Sequence, residues 1–483
     1  MSDVKIIKLN NIYGRVVTED LTILTGLHNR FAARVKNYFH MPMYKAGRWD
    51  GKIHFVEKSG KFYLGHFQKV FNYVNCPENK VEVDPAIQGE VISKEELVKE
   101  FTQATQERLN GDKIPYAHQI KGALKGLYWK RGILEHCTGS GKSLTIALVC
   151  NYLLWKKQTH KILILVPSIN LIDQMHEDLI EYGIAEADIG KFYGYEKNIK
   201  PPIVVSTWQS LMNRPELPKL FTAILVDEGH GLQSTEIKGI ALKAVNAEYR
   251  LGFTGTLPDD KCDQWLIEGV TGRVLDQVLA KDLIKLKIIS DLMIHLIRLE
   301  YPQRIVDRLL QEDYQKEKEF AETEINRNKV MINIAKLHAD QGQNVLILVK
   351  KIDHGHRLVD LLKEKGIDSM FIYGDTKPLD RQDVRKLLEA NTGKIIVASV
   401  GVFAVGVSIN KLHVVIFGAA GKSKIKTLQA VGRGLRLHAS KTKLHLYDVT
   451  ENFKYSILHL TDRKRYYKKN EFPLKEKLIE INV

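Results

Sequence analysis

The sequence predicts an α/β protein with two parallel-sheet lobes behind a small α+β N-terminal domain, and three observations carry that expectation. Short, nearly continuous runs rich in β-branched residues alternate with longer amphipathic stretches, the pattern of strands buried on both faces between helices. The alternation occurs twice, separated by a long polar interval, so two sheets are expected. At 483 residues the chain is too long for one hydrophobic core, which calls for two or three domains.

The first block, residues 1–90, has its own character. MYKAGRWDGKIHFVEKSGKFYLGHF (43–67) alternates apolar and polar residues and is broken by Asp50-Gly51 and Ser59-Gly60, dipeptides suited to tight hairpin turns. A small antiparallel sheet is expected there, packed on a helix over LHNRFAARVKNYF (27–39). After Val74, a polar segment with Pro77, Pro85 and Gly89 is expected to be a linker. Ser93 and Glu96 then form an S-x-x-E capping box that opens a helix reaching Asn110.

The second block, 91–290, carries the strand candidates KILILV (161–166), PIVVS (202–206), AILVD (223–227) and RLGFT (250–254), with SLTIALVCNYLLWKK among the helical stretches between them. The third, 291–452, carries NVLILV (344–349), SMFIY (369–373), KIIVAS (394–399), VVIFG (414–418) and KLHLYDV (443–449). A long polar helical region from Ile305 to Gln341 lies within or ahead of that set, and residues 453–483 make a basic C-terminal tail.

Composition narrows the partners. A hydrophobic share of 44% and a charged share of 27% are those of a globular protein and exclude disorder or collagen-like repeats. The 72 Lys and Arg against 57 Asp and Glu give a net charge of +15, an excess that attracts polyanions, with nucleic acid first among them. No apolar run approaches the roughly 20 residues of a membrane span, and the start MSDVKIIKLNN lacks a signal-peptide apolar core, so no membrane partner is expected. Cys76, Cys137, Cys150 and Cys262 have neither metal-ligand nor disulfide-framework spacing, which fits a reducing cytosol.

HCTGSGKSL (136–144) follows the strand candidate GILEH and opens a helical stretch, the context in which backbone amides of a glycine-rich turn and a helix N-terminus converge on one phosphate group. Gly139 and Gly141 permit the turn, Lys142 is suited to the β and γ phosphates, and Ser143 to magnesium. His136 stands where the pattern has its first glycine. VDEGH (226–230) ends a strand candidate with two carboxylates. Asp227 is suited to holding Mg²⁺ through water, and Glu228 to deprotonating an attacking water. QAVGRGLRLH (429–438) sets Arg433 and Arg436 on one helical face with Gln429 four residues before Arg433, and such arginines can donate charge-assisted hydrogen bonds to a γ-phosphate.

With these three features the chain resembles superfamily 2 helicases, and over most of its length it is similar to the phage UvsW-type DNA helicases. PYAHQ (115–119) matches their adenine-reading motif with Gln119 as reader, CTGSGKS their motif I with Thr138, Gly139, Ser140 and Gly141 around the phosphates, and VDEGH their DExH motif II. VPSINLIDQ (166–174), with Pro167 and Ser168, and STWQSL (206–211), with Thr207, sit where motifs Ia and Ib grip the nucleic-acid backbone. FTGTL (253–257) occupies the place of motif III, where Thr254 and Thr256 would couple nucleotide state to strand grip. VASVGVFAVGVSI (397–409) resembles motif V, with Ser399 and Gly406 at the matching positions, and QAVGRGLR resembles motif VI. RWDGKIHF is similar to the tryptophan-aspartate-glycine hairpin of the UvsW-type N-terminal domain.

The resemblance implies two RecA-like lobes, ATP and Mg²⁺ as cofactors, and an ATP hydrolase acting as a monomer in the host cell cytoplasm. It further implies helicase or translocase action on branched, single- and double-stranded DNA, with RNA–DNA hybrids in R-loops, in phage recombination, replication and repair. An RNA helicase and an ATP-switched nucleic-acid-binding regulator are the alternatives; intact Glu228 and both arginines speak against the regulator. Arg48 and Trp49 are candidate DNA contacts, Trp49 equally a core anchor, and the tail 454–472 is either a strand grip or a solvated helix covering the second lobe.

Overall fold

The computed structural model describes the chain except for residues 1, 88, 90, 91, 158, 159, 375–387, 401–410, 419–434, 436, 437, 439, 442 and 483. It divides into two compact units, Met1–His136 with Gly141–Gln277, and Cys137–Ser140 with Val278–Val483.

The N-terminal block folds differently from its pattern. Strands β1 (Ser2–Lys8), β2 (Tyr13–Val17), β3 (Ala32–Arg34), β4 (Lys52–His54), β5 (Lys61–Tyr63) and β6 (Asn79–Val83) give a four-stranded sheet of order β5-β2-β1-β6 and a separate β3-β4 ribbon. Of the expected hairpin sheet over 43–67, only a single antiparallel bridge forms, between Val56 and Phe62. Pro42–Lys45 is a helical turn, β4 pairs antiparallel with β3, and β5 pairs antiparallel with β2. Ser59-Gly60 does make a tight turn, closed by Glu57 N–H on Lys61 O (2.8 Å). The helix expected over 27–39 instead spans Leu21–Arg30, because Asp20 accepts from Thr22 N–H and starts it earlier, while residues 32–34 are drawn into the ribbon. The expected linker holds β6, paired parallel with β1. The helix start is set by its local cap, whereas in the strands pairing with residues distant in sequence overrides a local pattern.

This block is docked on the rest of the first unit. Trp265, in the helix Lys261–Val270, lies edge-on to Phe55 (5.3 Å) and 6.0 Å from Phe31. Lys69 and Lys261 stand over its indole at 5.0 and 4.4 Å. Lys69 also pairs with Glu268. His66, 1% exposed beside these rings, has its imidazole pushed down to about 3, chiefly by burial.

The first large sheet comprises β7 (Arg131–His136), β8 (Ile162–Val166), β9 (Ile189–Tyr193), β10 (Glu196–Lys197), β11 (Ile203–Thr207), β12 (Ala223–Asp227), β13 (Tyr249–Thr254) and β14 (Val274–Val278), in the order β10-β9-β11-β8-β12-β13-β7-β14. Successive strand residues feed opposite cores: Ile162 and Ile164 face one, with Leu148 and Leu153 of the helix Lys142–Lys156, while Leu163 and Leu165 face the other with Phe221 and Leu232. Two-sided burial is why these strands are apolar throughout. At the base of β13, Arg250 is fully buried and donates to the carbonyls of Val270 (2.9 Å), Ala244 (2.9 Å) and Ala241 (2.6 Å). Burial lowers its guanidinium to about 9.

The second unit holds a seven-stranded parallel sheet, β15 (Asp291–Glu300), β16 (Val345–Val349), β17 (Ser369–Ile372), β18 (Ile395–Ser399), β19 (Val414–Phe417), β20 (Lys443–Glu451) and β21 (Leu474–Glu480), in the order β17-β18-β16-β19-β20-β15-β21. The two mixed α/β units with parallel strands are those of two RecA-like lobes. The polar region 305–341 resolves into helices Gln303–Leu310, Tyr314–Thr323 and Ile325–Asp340, divided where Asp313 and Glu324 cap new starts. The basic tail forms the helix Lys454–Lys469, whose Arg463 is anchored on buried Asp448 (2.8 and 2.9 Å), so one face of the tail covers this lobe. Among the described residues no helix is long and apolar enough to cross a membrane.

Candidate active site

Strand register brings the motif residues of the first unit to one edge of its sheet. Asp227, last in β12, pairs with Phe253; the next β13 residue, Thr254, pairs with Glu135 of β7; and His136 ends β7. On the other side, Thr207 at the end of β11 pairs with Val166 at the end of β8, after which Pro167 and Ser168 follow. Parallel strands put all these residues at carboxyl ends, the edge where open α/β sheets bind ligands.

The helix Lys142–Lys156 starts behind Gly141, whose φ of +76° is a left-handed conformation natural to glycine. Lys142 and Ser143 therefore occupy a first helical turn, where backbone N–H groups lack intrahelical partners and favour an anion. Lys142 Nζ lies 3.4 Å from His136 O, and Ser143 Oγ is 3.1 Å from the Tyr182 hydroxyl, whose ionisation burial pushes up. Gln119, 2% exposed in the first turn of the helix Ala117–Trp129, accepts from Tyr116 N–H (2.8 Å) and donates to Gly141 O (3.2 Å). A Cβ at Gly141 would overlap its amide nitrogen. Cys137–Ser140 belong to the second unit, where Cys137 N–H donates to Val278 O (3.0 Å); Gly139 has φ +89°.

Glu228 has φ +51° and ψ +50°, a strained setting for a residue with a side chain, at the point where β12 turns into Gly229–Gln233. Its N–H donates to Asp227 Oδ1 (3.0 Å), and its carboxylate lies 3.3 Å from His230 Nδ1. The same nitrogen is 3.1 Å from Thr254 Oγ1, and Thr254 donates to Thr256 O (3.0 Å). Leu257 N–H reaches Glu135 Oε1 (3.4 Å), tying the segment after Thr256 back to β7.

Of the proposed backbone-gripping residues, Thr207 is buried and caps the helix Trp208–Met212, and Ser168 Oγ is buried with no hydrogen-bond partner among the described residues. Ser399 ends β18 in the second unit, paired with Val349. Trp49 donates from Nε1 to Lys52 O (2.7 Å) and braces the Asp50-Gly51 turn, while Arg48 is exposed. Gly406, Gln429, Arg433 and Arg436 lie outside the described residues.

Sequence reasoning missed His230, Tyr182 and Asp276. His230 was in view as the last letter of VDEGH; Tyr182 and Asp276, the latter 3.1 Å from His136 Nε2, have no local signal.

Residues 94–259 match the family model for the type III restriction enzyme res subunit, and residues 326–438 that for the helicase conserved C-terminal domain. The chain is 30% identical over 452 residues to the ATP-dependent DNA helicase UvsW of Enterobacteria phage T4, covering 91% of this chain and 89% of that protein. The crystal structure of T4 UvsW superposes with a TM-score of 0.52 at 27% identity, covering 99% of both chains. Dbp5 of S. cerevisiae, solved bound to RNA and ADP BeF3, matches in fold alone, with a TM-score of 0.53 at 14% identity over 81% of this chain and 94% of its own. Near-complete coverage at that identity, over a site edge carrying the helicase motifs in register, means that the chain belongs to the UvsW family of superfamily 2 helicases and is an ATP-dependent helicase, a hydrolase.

Proposed function

We propose that this helicase moves along DNA and remodels branched structures, namely junctions, forks and R-loops, in phage recombination, replication and repair. The reading rests on the alignment of Asp227, Thr254 and His136 at one sheet edge, together with the likeness to a protein named as a DNA helicase. Gln119 reads adenine; the amides of Thr138–Gly141 and Lys142 hold the phosphates; Glu228 takes the proton of the attacking water. Ser143 and Asp227 supply hard oxygen donors at a helix start and a strand end, a set that fits Mg²⁺ keeping most of its waters. That ion, when bound, neutralises phosphate charge. By the same reading Gln429, Arg433, Arg436 and Gly406 serve hydrolysis, the arginines by donating charge-assisted hydrogen bonds to the γ-phosphate.

Separating a base-pair step costs about 1.4 kcal/mol of stacking, so a passive binder cannot keep advancing and the chain must draw on ATP. Pro167, Ser168 and Ser399 grip the backbone without reading sequence, while Thr207, buried, serves that grip by capping the helix Trp208–Met212. In the N-terminal block, Phe39 and Met43 are 51% and 60% exposed, in a stretch of sequence that also carries Arg34, Lys36, Lys45 and Arg48. Apolar faces among cations suit unpaired bases at a branch point, and Trp49 holds that loop's base. The division into 1–90, 91–290, 291–452 and 453–483, a monomeric state and a host-cytoplasmic location belong to the same reading.

The test is ATPase and strand separation on a four-way junction, a plain duplex, an R-loop and an RNA duplex, with Glu228→Gln as control. Activity concentrated on the junction and R-loop supports the proposal; activity confined to RNA replaces it with an RNA helicase; nucleotide binding without turnover leaves only an ATP-switched regulator.

A further inference from the structure

His136 departs from the motif I pattern, and its surroundings give it a role. It is fully buried, its Nε2–H donates to Asp276 Oδ2 (3.1 Å), and its Nδ1 has no hydrogen-bond partner among the described residues. The ring is therefore held by a single polar contact. Asp276, 5% exposed in β14, also receives Lys125 Nζ (2.7 Å) and Lys121 Nζ (3.2 Å) on its other oxygen, and Lys125 reaches Leu275 O (3.0 Å) as well. Burial by itself would raise the Asp276 carboxyl, but the hydrogen bonds from His136, Lys125 and Lys121 hold it well below the usual range.

Lys121 and Lys125 are four apart, hence on one face of the helix Ala117–Trp129, whose first turn carries Gln119. The same helix meets His136 through Gly122, where a Cβ would stand 2.6 Å from the imidazole Cε1. One buried carboxylate thus ties together β14, the last residue before the phosphate loop and the helix bearing Gln119. Gln119 in turn donates to Gly141 O in the loop.

We propose that Asp276 is a positioning residue for nucleobase recognition: by clamping Lys121, Lys125 and His136, it fixes the Gln119 helix against the phosphate loop and so sets the preference for adenine. This rests on the assignment of Gln119 as base reader. Loss of the clamp leaves Glu228 and Asp227 in place but lets the base-reading amide drift relative to the phosphates, so affinity and base preference suffer before turnover does.

The test is steady-state hydrolysis of ATP and GTP by the full-length protein with a DNA effector, using Asp276→Asn, Lys125→Met, Lys125→Arg and Gln119→Ala. Asp276→Asn and Lys125→Met should raise KM for ATP about ten-fold and narrow the ATP-over-GTP preference in kcat/KM to match, with kcat within about three-fold. Lys125→Arg keeps the charge and should restore both. A merely structural role would lower Tm without moving the ratio of the two nucleotides. If Asp276→Asn does not fold, Lys125→Met, at a part-exposed position, decides. Wild-type preference in the folded variants, or a fall in kcat alone, overturns the inference. Gln119→Ala separates the two assignments: an unchanged preference there sinks the base-reader reading, whereas a preference lost in Gln119→Ala but kept in Asp276→Asn sinks only the clamp.

Discussion

His230 and Thr254 are joined by a 3.1 Å contact whose direction the neighbouring bonds decide. The single hydroxyl proton of Thr254 is donated to Thr256 O (3.0 Å), so Thr254 Oγ1 must accept, and His230 Nδ1 is the donor. That same N–H faces Glu228 Oε2 at 3.3 Å, so one imidazole stands between Glu228 and the Thr254–Thr256 segment.

His230→Ala should therefore cut DNA-stimulated hydrolysis about ten-fold and strand separation by more, since it breaks the link without removing Glu228. Measuring base pairs opened per ATP consumed checks it; an unchanged ratio removes the coupling role.

Glu228→Gln keeps the shape of the side chain but removes the carboxylate that the proposed function uses as base. Hydrolysis should fall by roughly 10²- to 10⁴-fold while nucleotide affinity stays near wild type. A fluorescent ATP analogue and phosphate release measured on one preparation separate the two quantities.

Arg433→Ala should cost on the order of 10³-fold in turnover if this residue senses the γ-phosphate. Near-normal DNA-stimulated hydrolysis in that variant would remove the assignment.

The N-terminal block is held by shape at Gly65, where a Cβ would overlap the carbonyl oxygen of Glu268. Gly65→Ala should destabilise the first unit by about 1–3 kcal/mol, the usual cost of overpacking. Thermal unfolding would show it, and an unchanged Tm would mean the contact yields easily.

In the second unit, His295 Nε2 lies 2.9 Å from His445 Nδ1, with His338 and Tyr447 packed alongside and Lys443 and Lys475 near. Burial, then the charges of His445, His338, Lys475 and Lys443, lower His295 from 6.5 to about 4, and His445 is lowered too. Between those values the unfolded chain binds more protons than the folded one, so stability rises with pH. This contribution is present above pH 6.5 and is lost as pH falls toward 4. A Tm series across that range should slope upward with pH, and His295→Gln should flatten it.

Much of the site was legible because its signals are local. A glycine-rich turn between an apolar strand and a helix needs only the φ freedom of Gly139 and Gly141, and the two carboxylates that close AILVDE need only a strand that ends there. The fully buried strands were equally plain, since two-sided burial admits few polar residues. The half-buried N-terminal strands were not. Their alternation over 43–67 fits any partner, and β3 and β2, rather than each other, turned out to be the partners of β4 and β5.

By itself, then, the sequence determined the glycine-rich turn ahead of a helix, the acidic strand end and the two runs of parallel strands, because each follows from backbone preferences acting across a few residues. Only the tertiary structure decided that His136 meets Asp276 across 140 residues, that His230 bridges Glu228 and Thr254, and that Trp265 is covered by Phe31 and Phe55. Those pairings exist because burying a charge or an indole requires a partner, and which partner is available depends on how the sheets close, not on what stands nearby in the chain.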